Sequence, residues 1–242
     1  MSATPRLFVE ADLAAGGTAE LSSDQAHYLG RVMRLGPGDA VKLFNGRDGE
    51  FECRLDQVGK SAAVVQVIRQ TRPQVTTPDI WLLFAPLKKT RTDFVVEKAT
   101  ELGVRVIWPV LTERCEAQAV RTDRLSRIAI EAAEQTERMG VPEVRRELKL
   151  VDVVANWKPE RTLLFCDEMG EAPLLSDAVA GAASAAILIG PEGGFSPDER
   201  KLIRNGPGVR PATLGPRILR AETAAVAALT LWQAAVGDWR NP

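Results

Sequence analysis

The sequence is poor in the residues that most metal and nucleophile chemistry needs: it has one histidine and three cysteines in 242 residues. A single histidine, His27, excludes a histidine-rich metal site. It also leaves any Ser-His-Asp or Cys-His scheme dependent on a residue far from the motifs described below. Cys53, Cys115 and Cys166 are odd in number, widely spaced and not arranged as C-x-x-C, which argues against a disulfide framework or a zinc site and for reduced thiols. No metal is expected. No run of about 18 uninterrupted apolar residues occurs, so no membrane-spanning helix is expected. The start, Met1-Ser2-Ala3-Thr4-Pro5-Arg6, lacks the basic-then-apolar order of a signal peptide, which points to the cytoplasm. An excess of either charge is missing too. With 31 Lys+Arg against 32 Asp+Glu the net charge is −1, so any RNA site must be a local basic patch rather than a global field.

What is present, 45% hydrophobic and 26% charged residues, suits a folded chain of one large domain or of a small and a medium one. Up to about Thr71 the pattern predicts short strands at Arg6–Val9, Ala40–Phe44, Glu50–Val58 and Ala62–Thr71, with Asn45-Gly46 and Asp48-Gly49 as hairpin turn signals. A small β-barrel is the expected form, interrupted by one helix that starts at Ser22-Ser23-Asp24 and stops at Gly36-Pro37-Gly38. Residues 1–72 form the expected first domain. The proline-bearing stretch 73–78 reads as a linker, and 79–242 as a second domain. There strands and helices alternate: strands at Ile80–Ala85, Arg105–Val110, Thr162–Cys166, Ala185–Ile189 and Ala212–Leu214, helices at Thr92–Leu102, Arg121–Arg138, near Leu174–Ala180, from Ser196 and from Ala221. That order predicts an α/β domain with a mainly parallel sheet.

Two segments in this second domain carry candidate chemistry. After the apolar run Ala185–Ile189 comes Gly190-Pro191-Glu192-Gly193-Gly194-Phe195, followed by Ser196-Pro197-Asp198-Glu199, a helix start with a capping box and proline at its first position. The glycines allow backbone to approach a ligand at the carboxyl end of a strand, although an ordinary tight turn would use the same residues. Neither the G-x-G-x-x-G fingerprint nor a P-loop is present. The second segment, Leu214-Gly215-Pro216-Arg217-Ile218-Leu219-Arg220-Ala221-Glu222-Thr223, joins the last strand to an apolar last helix. The two could clamp one ligand. Basic residues gather at His27, Arg31 and Arg34, spaced to share one face of the first helix opposite Leu29, Val32 and Leu35. A second group is Lys88, Lys89 and Arg91, with Arg114 and Arg121 as weaker candidates. Such stripes serve phosphate contact or a solvated surface.

The two long segments together resemble the paired signature of the RsmE family of ribosomal RNA methyltransferases, within the SPOUT class. Three further segments match in order: His27–Leu35, Glu97–Val104 and Ile128–Thr136. The resemblance spans nearly the whole chain and implies a PUA-like barrel followed by an α/β domain with a trefoil knot. The implied activity is methylation of a uridine N3 in small-subunit (16S) ribosomal RNA, with S-adenosylmethionine as methyl donor. Carried over by residue, Ile189, Gly190, Gly194, Leu214, Gly215, Ile218, Leu219 and Thr223 are the cofactor-binding expectations. Arg220 and Glu192 are the catalytic ones, as charge stabiliser and base. His27, Arg31, Arg34, Lys88, Lys89 and Arg91 are the RNA contacts. The resemblance also implies a homodimer through the last helix and an assembled small subunit as partner. One departure stands out: the family's Pro-Lys-Gly-Asp-Lys is replaced by Pro86-Leu87-Lys88-Lys89-Thr90-Arg91. A noncatalytic RNA-binding or assembly factor, and an α/β enzyme for another small phosphate ligand, are the alternatives.

Overall fold

The computed structural model describes residues 4–59, 61–116, 119–169 and 172–240. Residues 1–3, read above for a leader, and 241–242, the end of the expected second domain, lie outside these. Contacts divide the chain into two units, one running through Thr76 and also taking in Ala133–Val141, the other comprising Thr77–Ala132 and the chain from Pro142 onward. The excursion of 133–141 into the first unit departs from the expected unbroken second domain.

The first unit is built on β1 (Arg6–Phe8), β2 (Thr18–Leu21), β3 (Ala40–Phe44), β4 (Glu50–Val58) and β5 (Ala63–Arg72), in the sheet order β1-β3-β4-β5-β2. β1 runs parallel to β3, and the other pairs are antiparallel. Alternating apolar residues of β3, β4 and β5 meet in one core that includes Val41, Leu43, Cys53, Leu55, Val65 and Val67. Its most deeply buried charge is Glu50, with no side-chain exposure, paired with Arg6 at 2.7 Å and Lys42 at 3.1 Å. The same Arg6 guanidinium lies 3.7 Å from the Phe44 ring centroid and donates to the carbonyls of Ala133 (2.9 Å) and Arg138 (2.7 Å). Those two bonds anchor 133–141 in this unit.

The helix expected from Ser22 to Leu35 is shorter and mixed. α1 spans Ser23–His27, capped by Ser22 and Gln25 in a reciprocal box; Tyr28–Val32 form a wider π-type turn, and Arg34 stands at a left-handed φ of 57°. Because a π turn changes the angular step, His27, Arg31 and Arg34 do not form the expected helical stripe. Val32, expected on the apolar side, is 60% exposed, whereas Leu29 is fully buried. All three basic side chains are nevertheless at the surface.

The second unit holds β6 (Ile80–Phe84), α2 (Lys89–Glu101), β7 (Val106–Leu111), the start of α3 (Thr122–Gln135), β8 (Glu143–Val144), β9 (Leu148–Lys149), α4 (Leu150–Ala155), β10 (Thr162–Cys166), α5 (Leu175–Ala178), β11 (Ala185–Ile189), α6 (Pro197–Arg204), β12 (Val209–Ala212) and α7 (Ala221–Val236). Its sheet runs β12-β10-β11-β6-β7-β8, with β9 also on β7, and every pairing is parallel. Central strands covered on both faces must be apolar throughout, and β11 is buried at all five positions. The last strand lies before the expected 212–214. Pro211 is tolerated there because β12 is an edge strand, where a missing N–H leaves no ladder bond unmade. Helix α2 begins at Lys89, a turn before the expected Thr92, which places Lys89 and Arg91 in its first turn.

At the N-terminal ends of the strands the Trp81 ring has Arg145 at 4.3 Å and Arg161 at 4.0 Å. Helix α7 packs on α2, α5 and β11 with Ala221, Ala225, Ala228, Leu229, Trp232 and Gln233 buried. Its apolar composition does not mean burial all round, since Leu231 is 37% exposed.

Candidate active site

The carboxyl ends of three neighbouring parallel strands, β10, β11 and β12, open onto one cleft of about 430 Å³. Its walls are the turns that follow those strands: Cys166–Met169, Ile189–Gly194 and Thr213–Ala221, with Ala224 behind. A parallel sheet presents its ligand-binding crevice at this end, where the chain must leave each strand and turn.

The glycine loop is fixed from both sides. Downstream, Ser196 accepts from the Glu199 N–H at 3.2 Å while Glu199 accepts from the Ser196 N–H at 2.9 Å, and Pro197 opens α6. The second oxygen of Glu199 accepts from the Glu113 N–H at 2.7 Å, and Arg114 donates to the Gly193 carbonyl at 3.0 Å. Gly190 lies against the Phe195 ring, where a Cβ would come within 2.6 Å of ring carbon. Phe195 in turn packs edge-on against Phe165 of β10, 5.2 Å between centroids.

The third wall is formed by Cys166, whose place at the ligand side of its strand suggests either a covalent nucleophile or an inert buried thiol, and by Asp167, Glu168 and Met169, which the sequence does not single out. Asp167 is buried and accepts from Arg204 at 2.7 and 3.0 Å and from Arg200, both on α6. Glu168 bonds Arg200 at 3.1 Å. Nothing in the local pattern of Asp167-Glu168-Met169 marks it, because its place depends on β10 lying between β11 and β12. Burial pushes the Cys166 thiol up to about 12, so it stays protonated at neutral pH and is no nucleophile.

Of the residues expected to bind cofactor, Ile189, Gly190, Gly194, Leu214, Gly215, Ile218 and Leu219 line the cleft. Thr223 does not: it lies on the exposed face of α7, turned away by the helix that begins at Ala221. Both catalytic expectations, Arg220 and Glu192, are on the lining. Arg220 is exposed and makes no ion pair among the described residues, whereas Glu192 pairs with Arg91 at 2.8 Å. Arg91, expected as an RNA contact, therefore has its charge engaged, and it also approaches Glu222 at 3.6 Å. Lys88 pairs loosely with Glu116 at 3.7 Å. Lys89, like His27, Arg31 and Arg34, is exposed and has no ion pair among the described residues. His27, Arg31 and Arg34 belong to the first unit, and Lys88, Lys89 and Arg91 to the second.

Comparison with known proteins gives the same outline. The family model for an RNA methyltransferase domain matches residues 75–233, and that for an RNA methyltransferase PUA domain matches 21–68. Ribosomal RNA small subunit methyltransferase E of Rickettsia conorii is 32% identical, the match covering 93% of each chain. Its Synechocystis namesake is 33% identical over 93% of this chain and 75% of the other. Among solved structures, a Legionella pneumophila methyltransferase with bound S-adenosylmethionine superposes with a TM-score of 0.88 at 32% identity, covering 97% of this chain and 98% of the other. The Neisseria gonorrhoeae ribosomal RNA small subunit methyltransferase E, bound to S-adenosyl methionine, gives 0.86 at 30% identity, covering 96% and 97%. With 93% of the chain matched to curated relatives and both units accounted for, the chain belongs to the ribosomal RNA small subunit methyltransferase E family.

Proposed function

We propose that the protein transfers a methyl group from S-adenosylmethionine to N3 of a uridine in small-subunit ribosomal RNA. The observation that carries this is the cleft at the ends of β10, β11 and β12 in a chain that superposes on two proteins holding that cofactor. The residues present suit the ligand. Ile189, Leu214, Ile218 and Leu219 offer apolar surface for an adenine, and the backbone of the two loops offers hydrogen-bonding groups beside it. The space is within the usual range for a ligand of this size.

The bound donor would supply an electrophilic methyl with its leaving group already in place. The chain's own residues must hold the loops closed, exclude water and manage charge on the uracil, whose weakly acidic N3–H has to be lost. Arg220, on the lining and without an ion pair among the described residues, would stabilise negative charge spreading onto the uracil oxygens. Glu192, the expected base, is held in an ion pair with Arg91 at 2.8 Å.

His27, Arg31, Arg34, Lys88 and Lys89 are the phosphate contacts in this reading, and the assembled small subunit in the cytoplasm is the substrate. No helix among the described residues is long and apolar enough to cross a membrane. A homodimer is supported by α7, which turns Leu231 and Thr223 to the surface beside its buried face. The deciding experiment is tritium transfer from labelled donor to purified small subunits, followed by nucleoside analysis. Label on N3-methyluridine is expected. Label on carbon 5 or on a ribose would overturn the N3 assignment, and no label on any RNA would favour the noncatalytic reading.

A further inference from the structure

We propose that Arg91 is a positioning residue that ties together the two loops enclosing the cleft and so presets its shape before any ligand arrives. Its guanidinium reaches one carboxylate on each side: Glu192 of the glycine loop at 2.8 Å through Nη1, and Glu222, just after the Leu214–Arg220 loop, at 3.6 Å through Nε. These loops have no other ion pair joining them among the described residues. Arg91 stands in the first turn of α2, which follows β6, the direct neighbour of β11, and α2 packs along α7. The bridge is thus mounted on rigid elements.

Glu222 makes the tie matter. Its side chain is 16% exposed, and its Oε2 is buried without a hydrogen-bond partner among the described residues, so Arg91 is the cation that offsets its charge. Removing Arg91 leaves a part-buried carboxylate uncompensated, and the start of α7 must shift or admit water. Lysine would not replace it, because a compact ammonium cannot serve two carboxylates approached from different nitrogens of one planar fork. A loop pair held in place in the free protein loses less freedom on binding, which favours tighter and longer-lived occupancy.

This inference rests on the S-adenosylmethionine reading, and its test separates the two. Hydrogen exchange on the ligand-free protein should show faster exchange at 190–195 and 214–220 in Arg91→Ala than in the parent chain, with the fold intact by circular dichroism. Calorimetry should show S-adenosylhomocysteine bound about tenfold more weakly by Arg91→Ala, with only partial recovery in Arg91→Lys. Lys98→Ala, on the same helix but paired with Glu97 and Glu101, should behave like the parent. If the parent binds the ligand and Arg91→Ala matches it in both measurements, the tie is wrong while the cofactor reading stands. If the parent does not bind, the cofactor reading falls, and the exchange result alone decides the tie. Weakened RNA binding with unchanged exchange and ligand affinity would return Arg91 to an RNA contact and overturn the proposal.

Discussion

Gly194 and Glu168 meet across the wall of the cleft: at φ 65° the glycine directs its missing side chain onto a carboxylate oxygen that Arg200 holds at 3.1 Å. A Cβ there would overlap that oxygen, and a left-handed backbone costs a non-glycine residue about 1–2 kcal/mol on its own. Gly194→Val should therefore weaken S-adenosylmethionine binding strongly. Leu219→Asp should do the same by placing a charge on an apolar wall. Calorimetry on both variants checks this, and unchanged affinity in both would mean the cofactor lies elsewhere.

Glu50 gives the first unit a predictable response to acid. Burial by itself would raise its carboxyl, but the bonds from Arg6, Thr71 and Lys42 outweigh it and hold the group below its ordinary value of 4.5. A carboxylate lowered in the folded state contributes stability that is complete above the unfolded value and fades as pH falls through the folded one. Glu50→Ala, which strands the Arg6 charge in the interior, should cost about 3–5 kcal/mol at pH 7 and distinctly less at pH 3. Urea unfolding at the two pH values is the measurement. An equal loss at both would show that the pair does not carry the effect.

Much of this architecture is written locally. β11 is legible because a strand covered on both faces must be apolar along its length, and the start of α6 is legible because Ser196, Pro197 and Glu199 satisfy the first turn by themselves. β2 is not, since Thr18-Ala19-Glu20-Leu21 shows one and a half cycles of alternation after two glycines and gains its definition from pairing with β5. The return of 133–141 to the first unit depends on a tertiary partner, Arg6, remote in sequence. The same holds for Arg91 and Glu192, 101 positions apart, whose pairing follows from β6 lying beside β11. Sequence proximity marked Arg91 as one of three basic neighbours, and only the sheet order shows what it faces.

Cys166 lines the cleft, yet its thiol is pushed up to about 12 by burial. A raised thiol is neutral throughout the physiological range, so a covalent route through sulfur is closed. Cys166→Ser should keep most of the methyl transfer, and the unaltered protein should resist iodoacetamide at this position at pH 8. Mass mapping of the alkylated peptides reads the second point. Rapid labelling of Cys166, or loss of transfer in the serine variant at unchanged donor affinity, would instead make the thiol a candidate nucleophile.

On the proposed reading, in which the exposed basic residues of the first unit hold phosphates and Arg220 acts on the base, the two should be separable by mutation. Arg31 and Arg34 are exposed without ion pairs among the described residues, so they are free to neutralise phosphates. Arg31→Ala with Arg34→Ala should leave donor affinity intact, weaken binding of a small-subunit RNA segment and flatten its dependence on salt by about 0.9 in log–log slope for each lost contact. Arg220→Ala should do the reverse: the RNA still binds, but turnover falls, because charge appearing on the uracil in the transition state has lost its partner while the ground state has not. The pattern to look for is a KM effect from the first pair and a kcat effect from Arg220. Equal loss of RNA affinity in both sets would mean that Arg220 is one more phosphate contact, and an unchanged salt slope in the double variant would move the RNA footprint away from the Tyr28–Val32 turn.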